Sequence, residues 1–207
     1  RESELLERMR PWLEAGKPLR EFELGPEEEK VVRGFTLLSQ KPMLLVLNMD
    51  EEDTHKQHEL MDELSLEKYL NRPRTALVPV CAKIEVEISE LGAEEAQTFL
   101  TDLGFSEPGL DRLLQRQYGL LELISFLTAG EPEVRAWPVP HGCTALKAAG
   151  TIHTDFEKGF IRAEVIPWQR LVECGGFAGA REKGLLRSEG REYLVQDGDV
   201  ITFRFNV

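Results

Sequence analysis

The sequence comprises 207 residues, of which 42% are apolar and 30% charged, with a formal net charge of −12. That composition is ordinary for a globular protein, and no apolar run approaches the ~20 residues that span a bilayer, so we expect no membrane partner. The acidic balance disfavours general binding of polyanions, and three cysteines without a pair motif argue against a disulfide framework and for a reducing cytoplasm.

Helical spacing with many charges marks residues 1–14, which fit one arm of a longer helical pair. The chain begins inside this pattern, without Met or a secretory signal, and we expect it to be a fragment. A second helix is predicted from Pro26 to about Ser39. Proline suits the first turn of a helix, and the three glutamates that follow it favour the N-terminal end of the helix dipole.

Strands and helices then alternate along the first half of the chain. Pro79 either ends the second strand or exposes its edge, since proline is disfavoured inside a central strand. This order predicts an α/β fold with a parallel sheet, in which two strands are too few for an independent sheet. The strands are predicted at residues 43–48 and 75–81, and the helices at residues 55–70, 93–103 and 109–128.

The pattern changes at Gly130-Glu-Pro132, which we expect to be a domain boundary. Thr154 and Glu157 fit a capping box at the start of a short helix. Short strands interleaved with one or two helices predict a small α+β domain of the β-grasp type. The predicted strands are residues 134–139, 160–166, 193–198 and 200–205, and the predicted helices are residues 152–157 and 168–174.

The run Leu44-Leu-Val-Leu-Asn48-Met-Asp-Glu51 has two interpretations. A short apolar run bounded by turn signals indicates a strand covered on both faces. Its polar end is either a solvated loop or a ligand site, because open parallel sheets bind ligands outside the carboxyl ends of their strands. The pattern alone leaves both interpretations open.

Four stretches of the sequence carry a resemblance to a known family: Phe126–Trp137, His153–Ile166, Val195–Val200 and Phe203–Val207. They resemble the C-terminal end of the YchF family of bacterial Obg-like ATPases, and the resemblance extends over the whole chain. It implies a P-loop nucleotide-binding domain interrupted by a helical coiled coil and followed by a TGS domain. Residues 1–24 would end the coiled-coil arm, residues 25–123 would be the C-terminal part of the nucleotide-binding domain, and residues 124–207 would be the TGS domain.

The resemblance gives the strand end at residue 48 a role. Related GTPases bind guanine through Asn-Lys-x-Asp, where the Asp accepts two hydrogen bonds from the base; here the positions are Asn48, Met49, Asp50 and Glu51. The longer Glu51 cannot keep the same geometry, and a missed hydrogen bond to a buried polar group costs ~1–3 kcal/mol. We therefore expect ATP to be preferred over GTP. Asp50, by a slip of one residue, is the alternative acidic group at the base.

Cys81-Ala82-Lys83 follows the second strand where the related proteins have Ser-Ala-Lys. The resemblance implies that the backbone N–H of Ala82 points to the base and that Lys83 lies across the ring. Cys81 needs only to be small there. Together with Asn48 and the residues after it, these three complete the predicted base-binding set.

Catalytic residues are not expected in this chain, because its sequence has no Gly-x-x-x-x-Gly-Lys-Ser/Thr phosphate loop. The chain alone should be inactive. The resemblance implies that the intact protein binds ATP or ADP, with Mg²⁺ ligands upstream of this chain, hydrolyses ATP, and acts with the ribosome or other translation machinery. The rival interpretation is a non-enzymatic RNA- or protein-binding module in which the TGS domain is the whole function.

Basic residues in the second half form a candidate RNA or ribosome contact, because residues 1–123 carry a net charge of −11 and residues 124–207 only −1. Strand alternation predicts Arg162 and Glu164 on one face, opposite Ile161, Ala163 and Val165. A solvated face with paired charges is the alternative. The candidate contact residues are Arg135, Lys147, Lys158, Arg162 and Arg170.

The histidines have structural interpretations. His153 and Asp155 precede a short helix, and without an accompanying nucleophile a catalytic pair is the weaker hypothesis. His141-Gly-Cys143 lacks the second ligand pair of a zinc site, so we predict no metal site. His55 and His58 are expected in the first turn of an exposed helix.

Overall fold

The computed structural model describes residues 2–206 and divides into two compact units, Arg1–Leu120 and Leu121–Val207. The α/β fold class is confirmed, with one parallel and one mixed sheet in the described chain. No helix among residues 2–206 is both long and apolar enough to cross a membrane.

The first unit contains short helices around two parallel strands. Its helices are α1 Glu2–Glu14, α2 Pro26–Val32, α3 Gln57–Glu63, α4 Glu67–Leu70, α5 Ala82–Glu90, α6 Ala93–Asp102 and α7 Gly109–Leu120, and its strands are β1 Met43–Asn48 and β2 Thr75–Val80. Turns of 3₁₀ helix are found at Leu19–Glu21, Arg33–Phe35, Leu38–Gln40 and Glu51–Lys56.

The strands β1 and β2 pair in parallel over their full length, from Met43 opposite Thr75 to Asn48 opposite Val80. Their carboxyl ends therefore meet at one edge, as the alternation of elements predicted. Within residues 2–206 one face of β1 is open, with Val46 49% exposed, so the predicted cover on both faces is not supplied by this part of the chain.

Pro79 lies inside β2 and does not end it. The carbonyl of Val80 accepts the N–H of Met49 at 2.8 Å, so the even-numbered carbonyls of β2 face β1. By strand alternation, the ring nitrogen of Pro79 faces the other edge. Among the described residues no strand pairs with that edge, which is the position where a strand tolerates proline.

Two predicted helices of the first unit are shorter than expected. The helix from Pro26 ends at Val32 and tightens into a 3₁₀ turn, after which Thr36 takes a left-handed φ of 48°. The helix predicted at residues 55–70 is divided into α3 and α4 by Ser65, with φ of 52°. Left-handed residues other than glycine carry no plain sequence signal, so periodicity extended both helices too far.

The helix predicted at residues 109–128 is wrong beyond Leu120. Glu122 has φ of 52°, and the chain then extends as strand β3, Leu123–Ala129. Short apolar runs fit a buried strand as well as a helix, and here the run belongs to the strand. Helix α5, directly after β2, was not predicted.

The second unit is built on a five-stranded sheet within the described residues. Its strands are β3 Leu123–Ala129, β4 Val134–Pro140, β5 Phe160–Pro167, β6 Arg187–Glu189 and β7 Asp199–Phe205, and its helices are α8 Ala145–Ile152, α9 Thr154–Lys158, α10 Trp168–Glu173 and α11 Phe177–Glu182.

The strand order is β4-β3-β7-β5-β6, with β3 and β7 parallel and the other pairs antiparallel. Helix α8 packs its buried Ala145 and Ala149 against Phe126 and Phe203 on one face. A sheet whose first and last strands run parallel in the centre, with a helix across one face, is the predicted β-grasp arrangement, which is confirmed.

Two predictions for the second unit are wrong. Gly130-Glu-Pro132 connects β3 to β4, with Ala129 opposite Val134, so it is a hairpin turn and not a domain boundary. Residues 193–198 form only an isolated bridge of Leu194 with Thr144, which consists of the N–H of Ala145 donating to the carbonyl of Tyr193 and the N–H of Val195 donating to the carbonyl of Cys143. The pairing ends there because the chain then turns, with the N–H of Asp199 donating to the carbonyl of Gln196 at 3.2 Å. The strand β6 and the helices α8 and α11 were not predicted.

Alternation along β5 is partly as predicted. Ala163 and Val165 are fully buried on the core side, while Ile161 is 59% exposed. The pairing of β5 with β7 shifts register between Phe160 and Arg162. This irregularity turns Ile161 out of the core face, which corrects its predicted placement beside Ala163.

Candidate nucleotide base site

The two strand ends are joined by the side chain of Asn48. Asn48 closes β1, and its Oδ1 accepts the backbone N–H of Ala82, the first residue of α5, at 3.0 Å. The N–H of Met49 donates to the carbonyl of Val80 at 2.8 Å. The residues after β1 and β2 therefore form one continuous surface at the edge of the sheet, and the N–H that was predicted to face a base is donated to Asn48 in this structure.

Met49 and Cys81 support this surface from beneath. Met49 is 7% exposed and Cys81 is 5% exposed. The thiol of Cys81 packs with Ile84, Ile88 and Leu100 from α5 and α6. Both side chains therefore fix the positions of the loops and do not present a polar group to a ligand.

Glu51 and Lys83 form an ion pair across the two loops, with 2.8 Å between Oε1 and Nζ. The hydrogen bond that the Lys83 ammonium donates to Glu51 raises the pKa of Lys83 above its ordinary value. Asp50 precedes the 3₁₀ turn Glu51–Lys56 and its side chain caps no N–H there. Both candidate carboxylates and Lys83 line a cleft of about 350 Å³, together with Glu52 and Asp53.

The site offers amide and carboxylate groups at its rim and buried apolar side chains below. This donor set suits the base of a nucleotide, which needs a few directed hydrogen bonds. Within residues 2–206 no group of three or more His, Cys, Asp or Glu side chains is arranged to hold a metal ion. The residues present fit the base end of a nucleotide, and they include no phosphate loop.

Sequence reasoning missed Glu85, one turn into α5. Its carboxylate accepts the backbone N–H groups of Gly109 and Leu110, at 2.7 and 3.1 Å. A glutamate after Cys81-Ala-Lys83 was the available signal, but its partner is 24 residues away. Only the fold brings the two together.

The five basic residues proposed for RNA contact lie on five different elements of the second unit. Arg135 lies over the ring of Trp137, which packs on the core face of the sheet, whereas Arg162 pairs with Glu164 on the opposite face at 3.2 Å. Lys147 pairs with Glu157 and Arg170 with Glu173. Lys158 is exposed at the end of α9.

His153 is the N-cap of α9. Its Nδ1 accepts the N–H of Asp155 at 3.2 Å, and the same atom lies 3.4 Å from the Asp155 carboxylate. The predicted capping box of Thr154 and Glu157 is wrong, because Glu157 instead binds the ammonium of Lys147 at 2.6 Å. The geometry gives His153 a structural contact, in agreement with the interpretation favoured from the sequence.

Comparison with known proteins places the chain in one family. The family model YchF-GTPase_C, described as a protein of unknown function (DUF933), matches residues 123–206. The ribosome-binding ATPase YchF of Bacillus subtilis (strain 168) is 46% identical over 206 residues, which cover 100% of this chain and 56% of that protein. The ribosome-binding ATPase YchF of Escherichia coli O157:H7 is 43% identical over 203 residues, covering 98% of this chain and 55% of that protein.

A solved structure supports the same assignment. The YchF GTPase of Schizosaccharomyces pombe matches with a TM-score of 0.79 and 29% identity, over 97% of this chain and 53% of that one. The chain spans about half the length of the relatives it matches. Since relatives 46% and 43% identical match the chain over 206 and 203 residues, and thus over both units, the chain belongs to the YchF family.

Proposed function

We propose that the chain is the C-terminal part of a longer, ribosome-associated P-loop nucleotide hydrolase, in which the ends of β1 and β2 hold the base of ATP in preference to GTP. The names of the relatives support nucleotide hydrolysis and association with the ribosome as functions of the longer protein. The observation that carries the base preference is the hydrogen bond between Ala82 and Asn48. It decides which hydrogen-bonding groups remain for a base.

Asn48 keeps its amide donors when its oxygen is used by Ala82. The NH₂ group of an asparagine can donate to a ring nitrogen such as N7 of a purine, which both adenine and guanine present. Asn48 therefore holds a purine without selecting one. Its substitution should weaken ATP and GTP alike.

Selection comes from the neighbouring groups. The O6 of guanine is an acceptor and needs a donor from the protein, whereas the N6 amine of adenine is itself a donor and needs no donor. The N–H of Ala82, the donor that would meet O6, is already given to Asn48. Guanine would leave its O6 unpaired or compete for that N–H, and adenine does neither.

Glu51 adds a second cost for guanine. To accept the N1–H and amine of guanine, its carboxylate would have to leave the ammonium of Lys83, 2.8 Å away. Adenine has no N1–H and leaves the ion pair in place. Met49, buried where related GTPases carry lysine, contributes no charge to this rim.

Hydrolysis belongs to the longer protein. Positioning and neutralising the transferring phosphoryl group require a phosphate loop and Mg²⁺, which when bound neutralises developing charge on the phosphate oxygens. The 207 residues contain no phosphate-loop motif, so we expect this chain by itself to turn over no nucleotide. The second unit, as a TGS domain, would contribute to the ribosome contact.

Base preference can be moved by restoring the guanine-binding motif. In the full-length protein, Glu51→Asp combined with Met49→Lys should shift the ratio of the ATP and GTP dissociation constants toward GTP, since Asp reaches the geometry that Glu cannot. Glu59→Asp, the same shortening at an exposed residue of α3, is the matched control and should leave the ratio unchanged. An unchanged ratio in a folded double variant would assign base choice to other contacts.

A further inference from the structure

Helix α7 begins without a capping side chain of its own. The carbonyl of Pro108 accepts the N–H of Arg112 at 3.2 Å, so Pro108 occupies the N-cap position. Proline has no side-chain acceptor, and the first N–H groups of a helix have no partner within the helix. The cap of α7 must therefore come from another part of the chain.

Glu85 supplies that cap from α5. Its Oε1 accepts the N–H of Gly109 at 2.7 Å and its Oε2 accepts the N–H of Leu110 at 3.1 Å. A carboxylate at a helix N-terminus is favoured both by these bonds and by the helix dipole. Both carboxylate oxygens are used, so the distance and the orientation between α5 and α7 are fixed together.

Gly109 permits this close approach. A Cβ at this buried position would lie 2.6 Å from Oε1 of Glu85 and 3.3 Å from Cγ1 of Val80. Any side chain would push the carboxylate away from the helix end. The glycine and the glutamate therefore form a matched pair, which we name the α5–α7 latch.

The α5–α7 latch fixes the segment that meets the base. Glu85 lies in the first turn of α5, where its N–H donates to the carbonyl of Cys81 at 3.1 Å, and the same turn carries Ala82 and Lys83. On the other side, α7 packs against β2. Two contacts thus fix the first turn of α5. The N–H of Ala82 donates to Asn48, and the carboxylate of Glu85 binds the start of α7, which packs against β2.

We propose that Glu85 is a positioning residue for the nucleotide base, acting through the α5–α7 latch; the inference rests on the base site proposed above. Glu85 holds the N–H of Ala82 on Asn48 and the ammonium of Lys83 on Glu51, and so maintains the pattern of donors that favours adenine. Loss of the latch lets the turn move by tenths of an ångström, which weakens directed hydrogen bonds to a base and leaves phosphate contacts elsewhere in the protein intact.

The test compares two ligands in the full-length protein, ATP and inorganic tripolyphosphate, by calorimetric titration. Glu85→Ala should lower the affinity for ATP about ten-fold and leave the affinity for tripolyphosphate within about two-fold. Glu85→Gln retains one acceptor and should give an intermediate loss. Gly109→Ala should reproduce the loss of ATP affinity while keeping the charge of Glu85. It replaces Glu85→Ala as the test variant if Glu85→Ala does not fold. Glu90→Ala, at the exposed end of α5, is the control and should change neither affinity.

Two outcomes would overturn the inference. Equal losses for ATP and tripolyphosphate, or no loss of ATP affinity in a folded Glu85→Ala variant, would show that the latch serves stability only. A wild-type protein that binds ATP no better than tripolyphosphate would refute the base site itself, and the latch would then have no base to position. The wild-type comparison therefore separates failure of the site from failure of the latch.

Discussion

Single residues set the charge pattern of the second unit, and Glu164 is the clearest case. Its carboxylate accepts two hydrogen bonds from Arg204, at 3.2 and 3.0 Å, and one from Arg162 at 3.2 Å. The two hydrogen bonds from Arg204, and to a smaller extent the one from Arg162, hold the pKa of Glu164 below its ordinary value of 4.5. Two arginines that would repel each other across β5 and β7 are thereby joined.

Replacing Glu164 with Gln should destabilise the second unit by about 1 kcal/mol at pH 7, since the ion pairs are largely at the surface. A carboxyl whose pKa is lower in the folded than in the unfolded state stabilises the fold at pH values above its unfolded-state pKa. This contribution is lost as the pH falls through the folded-state pKa. The difference between wild type and Glu164→Gln should therefore shrink below pH 4.5. Urea denaturation across that range measures it.

Glu192→Gln, an exposed carboxyl of the same unit, is the control for Glu164 and should change stability little at any pH. A Glu164→Gln effect that is as large at about pH 3 as at pH 7 would mean that the side chain stabilises by packing and not by charge.

The sequence predicted a set of base-binding residues but not the contacts among them. Asn48, Ala82 and Lys83 were predicted as base-binding residues through a family resemblance. The bond from Ala82 to Asn48 joins residues 34 positions apart and depends on the parallel register of β1 and β2. Likewise, no sequence pattern predicts that the carboxylate of Glu51 pairs with Lys83, because this contact forms only when the fold brings the two loops together.

At the scale of elements, the junction between α9 and β5 depends on one glycine. A Cβ at Gly159 would overlap the backbone carbonyl oxygen of Asn206, and the carbonyl of Gly159 accepts the N–H of Asn206 at 2.9 Å. The end of β7 is thus held against the start of β5 by direct backbone contact. Backbone atoms cannot turn aside as a flexible side chain can.

Gly159→Ala should therefore destabilise the second unit by about 1–3 kcal/mol through overpacking. Gly190→Ala, where a Cβ would meet nothing within 4 Å, should change stability by less than about 0.5 kcal/mol. Thermal unfolding of the two variants side by side makes the comparison. Equal melting temperatures would show that the chain at residues 159 and 206 separates at little cost.

Elements with a clear hydrophobic periodicity could be predicted from the sequence. Elements that depend on contacts with neighbouring parts of the fold could not. The strands β1, β2, β5 and β7 follow from apolar runs or alternation bounded by turn residues. The strand β3 was assigned to a helix because its apolar run directly continues the helical pattern of α7, and the left-handed Glu122 that separates them is invisible to periodicity. The three-residue β6 is too short for any pattern, and it forms because β5 offers it an edge.

At the scale of the whole molecule, the distribution of charge bears on the proposed contact with the ribosome. Residues 1–123 carry a net charge of −11 and residues 124–207 carry −1, so the second unit repels phosphate least. Most of the candidate cations there are paired with carboxylates, as Arg162 is with Glu164, which lowers their free charge. Lys158, exposed on α9, is the strongest single candidate for a phosphate contact.

Charge reversal of Lys158 together with Arg162 in the full-length protein should weaken association with ribosomes and leave ATP affinity unchanged. Contacts to phosphate release counterions, so the loss should be larger at low salt than at high salt. Sedimentation with ribosomes at two salt concentrations measures it, after the melting temperature has shown that the loss of the Glu164 pair has not unfolded the unit. The control is the same reversal at Lys68 and Arg116 of the first unit. If binding falls only in the control, the contact lies outside the second unit.

Calorimetric titration of the full-length wild-type protein with ATP and with GTP, under identical Mg²⁺ and salt, tests whether the ends of β1 and β2 select adenine. We expect a lower dissociation constant for ATP, because Ala82 donates its N–H to Asn48 and the carboxylate of Glu51 is paired with Lys83. Binding of neither nucleotide would favour a non-enzymatic RNA- or protein-binding module. A ten-fold preference for GTP, about 1.4 kcal/mol in the other direction, would show that these strand ends do not select adenine.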